Sequence, residues 1–165
     1  MPQLYLIRHG IAADRDLFEE DFDRPLTEQG IHKTSTIAQR LAALDLYFDR
    51  LLTSPLVRAQ QTAELLHAAG LCRTIETLGA LAPGGSVEAL ASWWLDVAQV
   101  KPDETIAIVG HEPDLGQWAQ WLVWGEAREK LIVKKAGIIG INVPPAGLVC
   151  GTCDLFWLTP PRLLL

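Results

Sequence analysis

The sequence predicts an α/β protein: a three-layer α/β/α sandwich whose mainly parallel β-sheet carries an antiparallel edge. Three observations predict this fold class. Short apolar segments alternate with longer segments in which apolar residues recur at helical spacing. Strand and helix keep alternating along most of the chain, as expected when helices connect parallel strands. The last part of the chain instead has two strand-like segments in succession, which predicts the antiparallel edge.

Length and composition limit the possible classes of protein. A chain of 165 residues can form one complete core, so we expect a single domain over 1–165. The net charge of −6 argues against a nucleic-acid partner, which usually requires a basic face. No apolar run reaches the roughly 18 residues of a membrane span, and the N-terminus does not resemble a signal peptide. We therefore expect a cytosolic protein with no membrane partner, and a monomer by default.

The first half of the chain alternates strands with helices. We predict a strand over 3–7, a helix over 28–44, a strand over 51–53, a helix over 55–69 and an edge strand over 73–76. Thr27 is a typical N-cap for the first helix, and an acidic, irregular loop over 11–26 precedes it. Ser54 before Pro55 is typical of a helix start with Ser54 as the N-cap, and Gly70 favours the end of that helix.

The second half repeats the alternation and then departs from it. We predict a helix over 87–98, a strand over 105–109, a helix over 114–124, and antiparallel strands over 131–142 and 153–158. Ser86 is the expected N-cap of the first of these helices. Residues 105–109 form a continuous β-branched run, which is typical of a strand buried on both faces. A loop over 144–147 joins the last two strands.

Three polar loops each follow a predicted strand. They are Arg8-His9-Gly10, Ser54-Pro55-Leu56-Val57-Arg58 and Gly110-His111-Glu112-Pro113. The carboxyl ends of parallel strands meet at one edge of the sheet, where ligands bind in such folds. We therefore expect Arg8, His9, Arg58 and His111 to converge there.

Two arginines and two histidines in one place can bind and transfer a phosphoryl group. The guanidinium groups of Arg8 and Arg58 can each hold an oxyanion in a bidentate fork. A neutral imidazole can attack phosphorus when a carbonyl holds one ring nitrogen and the other is free. A protonated second histidine can stabilise the charge that moves during transfer. The sequence contains no evident set of metal ligands, so we expect no cofactor and no metal.

Each of these residues also has a purely structural interpretation. His9 could hydrogen-bond at the sheet edge, and His111 could be a satisfied buried histidine. Arg8 and Arg58 could pair with the carboxylates over 14–23 of the acidic loop. The one argument against these alternatives is that the predicted fold brings the three loops together.

Other polar residues carry less specific signals. Glu112 could orient a neighbour or lie on the surface. His32 and His67 lie within predicted helices, and we expect both to be exposed and inert. Cys150 and Cys153 have the spacing of a zinc or redox motif, but without a second pair a turn before the last strand explains them better.

Four segments, in this order, resemble the histidine phosphatase (phosphoglycerate mutase-like) superfamily. They are Ile7-Arg8-His9-Gly10, Leu26-Thr27-Glu28-Gln29-Gly30, the stretch from Ser54 to Ala63, and Val109-Gly110-His111. The short chain, Gly-His-Glu-Pro at 110–113 and Lys134-Lys135-Ala136-Gly137 further resemble its compact SixA-type branch, the phosphohistidine phosphatases. The resemblance implies a phosphoglycerate mutase-like fold, His9 as the nucleophile that becomes phosphorylated, and Arg8, Arg58 and His111 as the phosphate pocket.

The sequence departs from the larger members that it resembles, which carry a glutamate general acid after the third strand. Residues 78–85 contain no carboxylate here. An alkoxide leaving group needs a proton from a general acid, whereas imidazole leaves phosphorus more readily. We therefore expect a phosphatase that acts on phosphohistidine in a protein such as a phosphotransfer domain. A phosphomonoesterase for a small phosphorylated metabolite and a poorly active phosphate-binding module are the alternatives, and Asp14 is a hypothetical substitute acid.

Overall fold

The chain folds around a six-stranded mixed sheet, as seen in a computed structural model that describes residues 1–165 except the side chain at position 97. The strands are β1 (Gln3–Arg8), β2 (Arg50–Thr53), β3 (Ile75–Thr77), β4 (Thr105–Gly110), β5 (Ile138–Asn142) and β6 (Asp154–Thr159). Their order across the sheet is β3-β2-β4-β1-β5-β6. The first four strands run parallel, and β5 pairs antiparallel with both β1 and β6. The predicted parallel sheet with an antiparallel edge is confirmed.

The helices follow the predicted order. They are α1 (Glu28–Ala42), α2 (Val57–Ala68), α3 (Val87–Ser92) and α4 (Asp114–Trp124). The hydroxyls of Thr27 and Ser86 accept hydrogen bonds at the starts of α1 and α3, so both predicted N-caps are confirmed. The helix predicted over 87–98 is only partly correct, because a π-helical turn over Trp93–Val97 follows α3. In the part of the chain that the structure describes, no helix is both long and apolar enough to cross a membrane.

Alternate residues of the central strands face two separate cores. In β1, Leu4 and Leu6 belong to a cluster with residues of α3 and α4. Tyr5 and Ile7 belong to the cluster formed with α1 and α2. Residues of β4 alternate between the same two clusters, which explains the uninterrupted apolar run that the sequence shows there. The sheet is therefore the middle layer of the predicted three-layer sandwich.

The strand predicted over 131–142 is wrong in its first part, because β5 begins only at Ile138. The N–H of Val133 donates to the carboxylate of Glu112 at 2.8 Å. The carbonyl of Val133 accepts from Nη1 of Arg8, also at 2.8 Å. Side chains from the sheet edge therefore use backbone groups that a strand would pair with its neighbour.

Candidate active site

Arg8 ends β1, His9 follows it, His111 follows β4, and Arg58 lies in the first turn of α2, beyond the end of β2. The N–H of His9 donates to the carbonyl of Gly110 at 3.1 Å, which joins the ends of β1 and β4. The ring centroids of His9 and His111 are 5.1 Å apart. His9 is 4% exposed, and Arg58 and His111 are each 3% exposed. These three side chains thus form one compact and almost fully buried cluster.

The hydrogen bonds of His9 define which ring nitrogen carries its proton. Nδ1 lies 2.7 Å from the carbonyl oxygen of Gly10, and a carbonyl can only accept. In the neutral ring, Nδ1 is therefore protonated and Nε2 keeps its lone pair, which accepts from Nε of Arg58 at 3.3 Å. Burial, together with the charges of His111 and Arg58, lowers the pKa of His9 to about 2. His9 is thus a neutral imidazole whose Nδ1 is held, and the Nε2 lone pair faces Arg58 in a hydrogen bond that attack on phosphorus would have to replace.

Gly10 allows the loop after β1 to pack tightly against two helices. A Cβ atom at position 10 would clash with the hydroxyl of Thr34 on α1. The N–H of Gly10 donates to Oγ1 of Thr62 at 3.0 Å, and that hydroxyl donates to the carbonyl of Arg58 at 2.8 Å. Thr62 therefore links the loop that carries His9 to the helix that carries Arg58.

Ser54 contacts His111 and does not cap α2, so its predicted N-cap role is wrong. Leu56, in an extended conformation, occupies the N-cap position before Val57. The hydroxyl of Ser54 accepts from the N–H of Leu56 at 3.3 Å and lies 2.8 Å from Nε2 of His111. The sequence gives no signal for this contact, because the two partners are far apart in the chain.

The other ring nitrogen of His111 has no hydrogen-bond partner. Nδ1 is buried, and none of the residues that the structure describes bonds to it. Burial, with the nearby charge of Arg58, lowers the pKa of His111 to about 4. The ring is therefore neutral near pH 7, and an anion bound beside it would favour its protonation.

Asp21 in the acidic loop holds the guanidinium group of Arg58. Nη2 of Arg58 donates to Oδ2 of Asp21 at 2.8 Å, and Nη1 donates to the backbone carbonyl of Asp21 at 2.7 Å. Nε of Arg24 and Nε of Arg15 lie 3.3 Å and 3.7 Å from the other carboxylate oxygen. The structural alternative for Arg58, pairing with the acidic loop, is thus observed. The sequence could not single out Asp21, because this loop contains several carboxylates without periodic spacing.

Arg8 is held by the segment that precedes β5. The side chain of Arg8 donates to the carbonyl of Val133. The backbone carbonyls of Arg8 and His9 both accept from the N–H of Ala136, each at 3.1 Å. Ala136 has a positive φ of 60°, which turns this segment back across the end of β1. Burial lowers the pKa of Arg8, whereas the negative charge of Glu112 opposes that shift. Glu112 therefore orients its neighbours, which is one of the two interpretations that the sequence left open.

A carboxylate from α4 reaches the segment over 78–85, which contains none of its own. Oδ2 of Asp114 accepts from the N–H of Gly84 at 2.8 Å. Asp114 is 9% exposed, and burial raises the pKa of its carboxyl group. The sequence does not reveal this contact, because α3 and β4 separate Gly84 from Asp114 in the chain.

The remaining candidates lie outside this cluster of hydrogen bonds. Asp14 is exposed at the start of a short turn. His32 and His67 are exposed as predicted, although Nδ1 of His67 lies 3.0 Å from a backbone carbonyl. Cys150 is exposed and Cys153 is buried, and both are free thiols. No group of three or more His, Cys, Asp or Glu that could hold a metal occurs among the described residues.

Comparisons with known proteins agree with this geometry. A family model described as the histidine phosphatase superfamily (branch 1) matches residues 4–83. A protein of Picosynechococcus sp. is 48% identical over 164 residues, which cover 99% of both chains. The phosphohistidine phosphatase SixA of Escherichia coli is 31% identical over 125 residues, which cover 75% of this chain and 76% of SixA. A solved structure of the protein histidine phosphatase SixA complexed with tungstate has a TM-score of 0.83 and 26% identity, with 99% of each chain covered.

Proposed function

Because the chain belongs to the histidine phosphatase superfamily, we propose that it removes phosphate from a phosphohistidine of a protein, through an intermediate phosphorylated on His9. The state of His9 is the observation that carries this proposal. Its Nδ1 proton is held by the carbonyl of Gly10 at 2.7 Å, and Nε2 keeps a lone pair at the centre of the cluster. We also propose that residues 1–165 act as one catalytic domain.

The first chemical step transfers the phosphoryl group from the substrate to His9. Nε2 of His9 forms a bond to phosphorus as the bond from phosphorus to the substrate imidazole breaks. Arg8 and Arg58 hold the phosphoryl oxygens, and Nδ1 of His111, which has no other partner among the described residues, donates to one of them. The substrate ring is protonated on its other nitrogen from solvent water before the P–N bond breaks, so it leaves as a neutral imidazole.

The second step regenerates the enzyme. A water molecule attacks phosphorus, the bond to Nε2 of His9 breaks, and inorganic phosphate leaves with the oxygen of that water. The proton that the water loses passes to the phosphate product. Nδ1 of His9 stays protonated throughout, because the Gly10 carbonyl holds it.

The segment over 78–85 favours a P–N bond over an alkyl P–O bond in the substrate. It contains no carboxylate of its own, and Asp114, which reaches it through the N–H of Gly84, has no hydrogen bond to His9, Arg58 or His111 among the described residues. An alkoxide would leave slowly without a placed acid, whereas a substrate imidazole needs less help. Similarity to SixA, a phosphohistidine phosphatase, supports the same choice.

Trapping the intermediate tests the proposal. The protein is mixed with a phosphotransfer domain carrying labelled phosphohistidine, quenched in alkali within milliseconds to seconds, and mapped for label. We expect acid-labile, alkali-stable label on His9, and its loss in His9→Asn together with roughly a thousandfold or greater loss of turnover. His67→Asn, which changes an exposed histidine, is the matched control. It should keep both the label on His9 and the turnover of the wild type.

Two results would replace the proposal. Faster turnover of an alkyl phosphate such as glycerol phosphate than of the phosphorylated domain would indicate a small-molecule phosphomonoesterase. Labelling of His9 in a single burst, without steady release of phosphate, would indicate a phosphate-binding module.

A further inference from the structure

A cavity lies beside the loop that carries His9. It has a volume of about 180 Å³ and lies between α1, the segment before β5 and the C-terminal turn. Three cationic residues line it, together with apolar side chains: Lys33, Lys135, Arg162, Ile11, Ile37 and Leu165. It is separate from the cluster of His9, Arg58 and His111, none of which lines it.

The three cations of this cavity form no ion pair among the described residues. The ion pairs there involve five other arginines, so no carboxylate lies within 4.0 Å of Lys33, Lys135 or Arg162, the terminal carboxylate of Leu165 included. No Asp or Glu is among the described residues that line the cavity, and Asp14, outside the lining, only opposes the lowering of the pKa of Lys135. The protein has 20 acidic and 14 basic residues, so a local excess of positive charge is unexpected by composition. Converging cations that no carboxylate contacts favour an anionic ligand.

Lys135 is the most constrained of the three cations. It is half-buried, and the backbone bonds of the next residue, Ala136, to the carbonyls of Arg8 and His9 fix its position. Burial, with the positive charges of Arg8 and Arg24, lowers the pKa of the Lys135 ammonium group. A bound anion would relieve this repulsion.

Thr34 of α1 also lines the cavity. Its hydroxyl lies against Gly10, is buried, and has no hydrogen-bond partner among the described residues. Position 34 is therefore close enough to the cavity to report on a ligand that binds there.

The size and lining of the cavity limit the ligand. A water molecule takes about 30 Å³, so the cavity of about 180 Å³ has room for roughly six groups of that size. The cations would bind an oxyanion, and Ile11, Ile37 and Leu165 would bind a short apolar stem. We propose that this cavity is a second anion-binding site, which takes a small carboxylate or phosphate carried on a short aliphatic chain.

A titration with pentanoate tests this proposal, and it does not depend on the proposed function. The phosphate pocket is first saturated with tungstate, and amide chemical shifts of Thr34 and Lys135 are then followed by NMR. We expect saturable, one-site binding with a dissociation constant on the order of millimolar, and at least tenfold weaker binding of pentanol and pentylammonium. Shifts that do not saturate, or equal binding of pentanol, would overturn the proposal.

Paired variants locate the binding. Lys33→Met with Arg162→Met removes two cations of the cavity, and we expect roughly tenfold weaker pentanoate binding. The matched control, Lys101→Met with Arg73→Met, removes two exposed cations elsewhere and should bind pentanoate like the wild type. Unchanged binding by the first pair would overturn the proposal, provided that its melting temperature matches that of the control pair.

A last experiment identifies the source of the anion. This experiment, unlike the titration, rests on the proposed function. Phosphohistidine peptides that carry Glu or Gln near the modified residue are compared for kcat/KM. Faster turnover of the Glu peptide, lost in Lys33→Met with Arg162→Met, would assign the site to an acidic side chain of the substrate. Pentanoate binding with equal turnover of the two peptides would assign it to a free metabolite.

Discussion

Asp21 engages both terminal nitrogens of Arg58, one through its carboxylate at 2.8 Å and one through its backbone carbonyl at 2.7 Å. The third nitrogen, Nε, donates to His9 at 3.3 Å. The acidic loop thus uses the donors with which we propose that Arg58 binds phosphate. An incoming phosphoryl group must compete with a carboxylate of this chain for the same guanidinium.

Replacing Asp21 with Asn should therefore tighten the binding of phosphate. The ion pair between Arg58 and Asp21 is short, at 2.8 Å, but the Asp21 side chain is 38% exposed, so solvent screens the interaction. We expect Asp21→Asn to lower the inhibition constant of inorganic phosphate roughly two- to fivefold. The matched control is Asp16→Asn, an exposed carboxylate in the same loop, which should behave like the wild type. Weaker inhibition in Asp21→Asn would show that Asp21 aligns Arg58 and does not compete with phosphate.

Ser54 should affect activity through His111. Its hydroxyl lies 2.8 Å from Nε2 of that ring, so Ser54→Ala leaves both ring nitrogens of a buried histidine without a partner. We expect a loss of about 1–3 kcal/mol in transition-state stabilisation, which is a fall of roughly ten- to a hundredfold in kcat/KM on phosphohistidine.

Ser86→Ala is a matched control for Ser54→Ala. Ser86 caps α3, so its loss should cost about 1 kcal/mol of unfolding free energy and leave kcat/KM unchanged. Equal kcat/KM in Ser54→Ala and the wild type would show that Ser54 does not position His111.

The sequence predicts the scaffold of this site better than its contacts. The positions of His9, Arg58 and His111 follow from three strands whose apolar patterns are plain, because the ends of parallel strands must meet. Asp21, by contrast, reaches Arg58 from a loop without periodicity, and Ser54 reaches His111 across the sheet edge. The sequence context of Ser54 is typical of an N-cap, but tertiary hydrogen bonds outweigh that local preference.

Residues 131–137 show the same limit in the backbone. Their composition is compatible with a strand, yet Arg8 and Glu112 take the backbone groups of Val133. These partners are distant in sequence, so periodicity cannot reveal them. The predicted strand is therefore too long at the candidate site. There, side chains form the hydrogen bonds that a neighbouring strand would otherwise form.

The buried histidines should make the protein less stable at mildly acidic pH. Burial holds the pKa of His111 at about 4 and that of His9 at about 2, against about 6.5 in the unfolded chain. The folded state therefore binds fewer protons than the unfolded state below pH 6.5, and the free energy of unfolding falls as the pH decreases from 6.5 towards 4. We expect each histidine to account for a loss of about 2 kcal/mol between pH 7 and pH 5.

Urea unfolding at pH 7 and pH 5 measures this loss. His111→Gln removes one of the two groups, so its unfolding free energy should fall by about 2 kcal/mol less than that of the wild type over the same interval. His32→Gln, which changes an exposed histidine of α1, is the control and should show the full loss. An identical pH dependence in all three proteins would mean that His111 titrates normally in the folded state. The ring would then be charged at mildly acidic pH before any phosphate binds. Burial beside Arg58 would then not lower the pKa of His111.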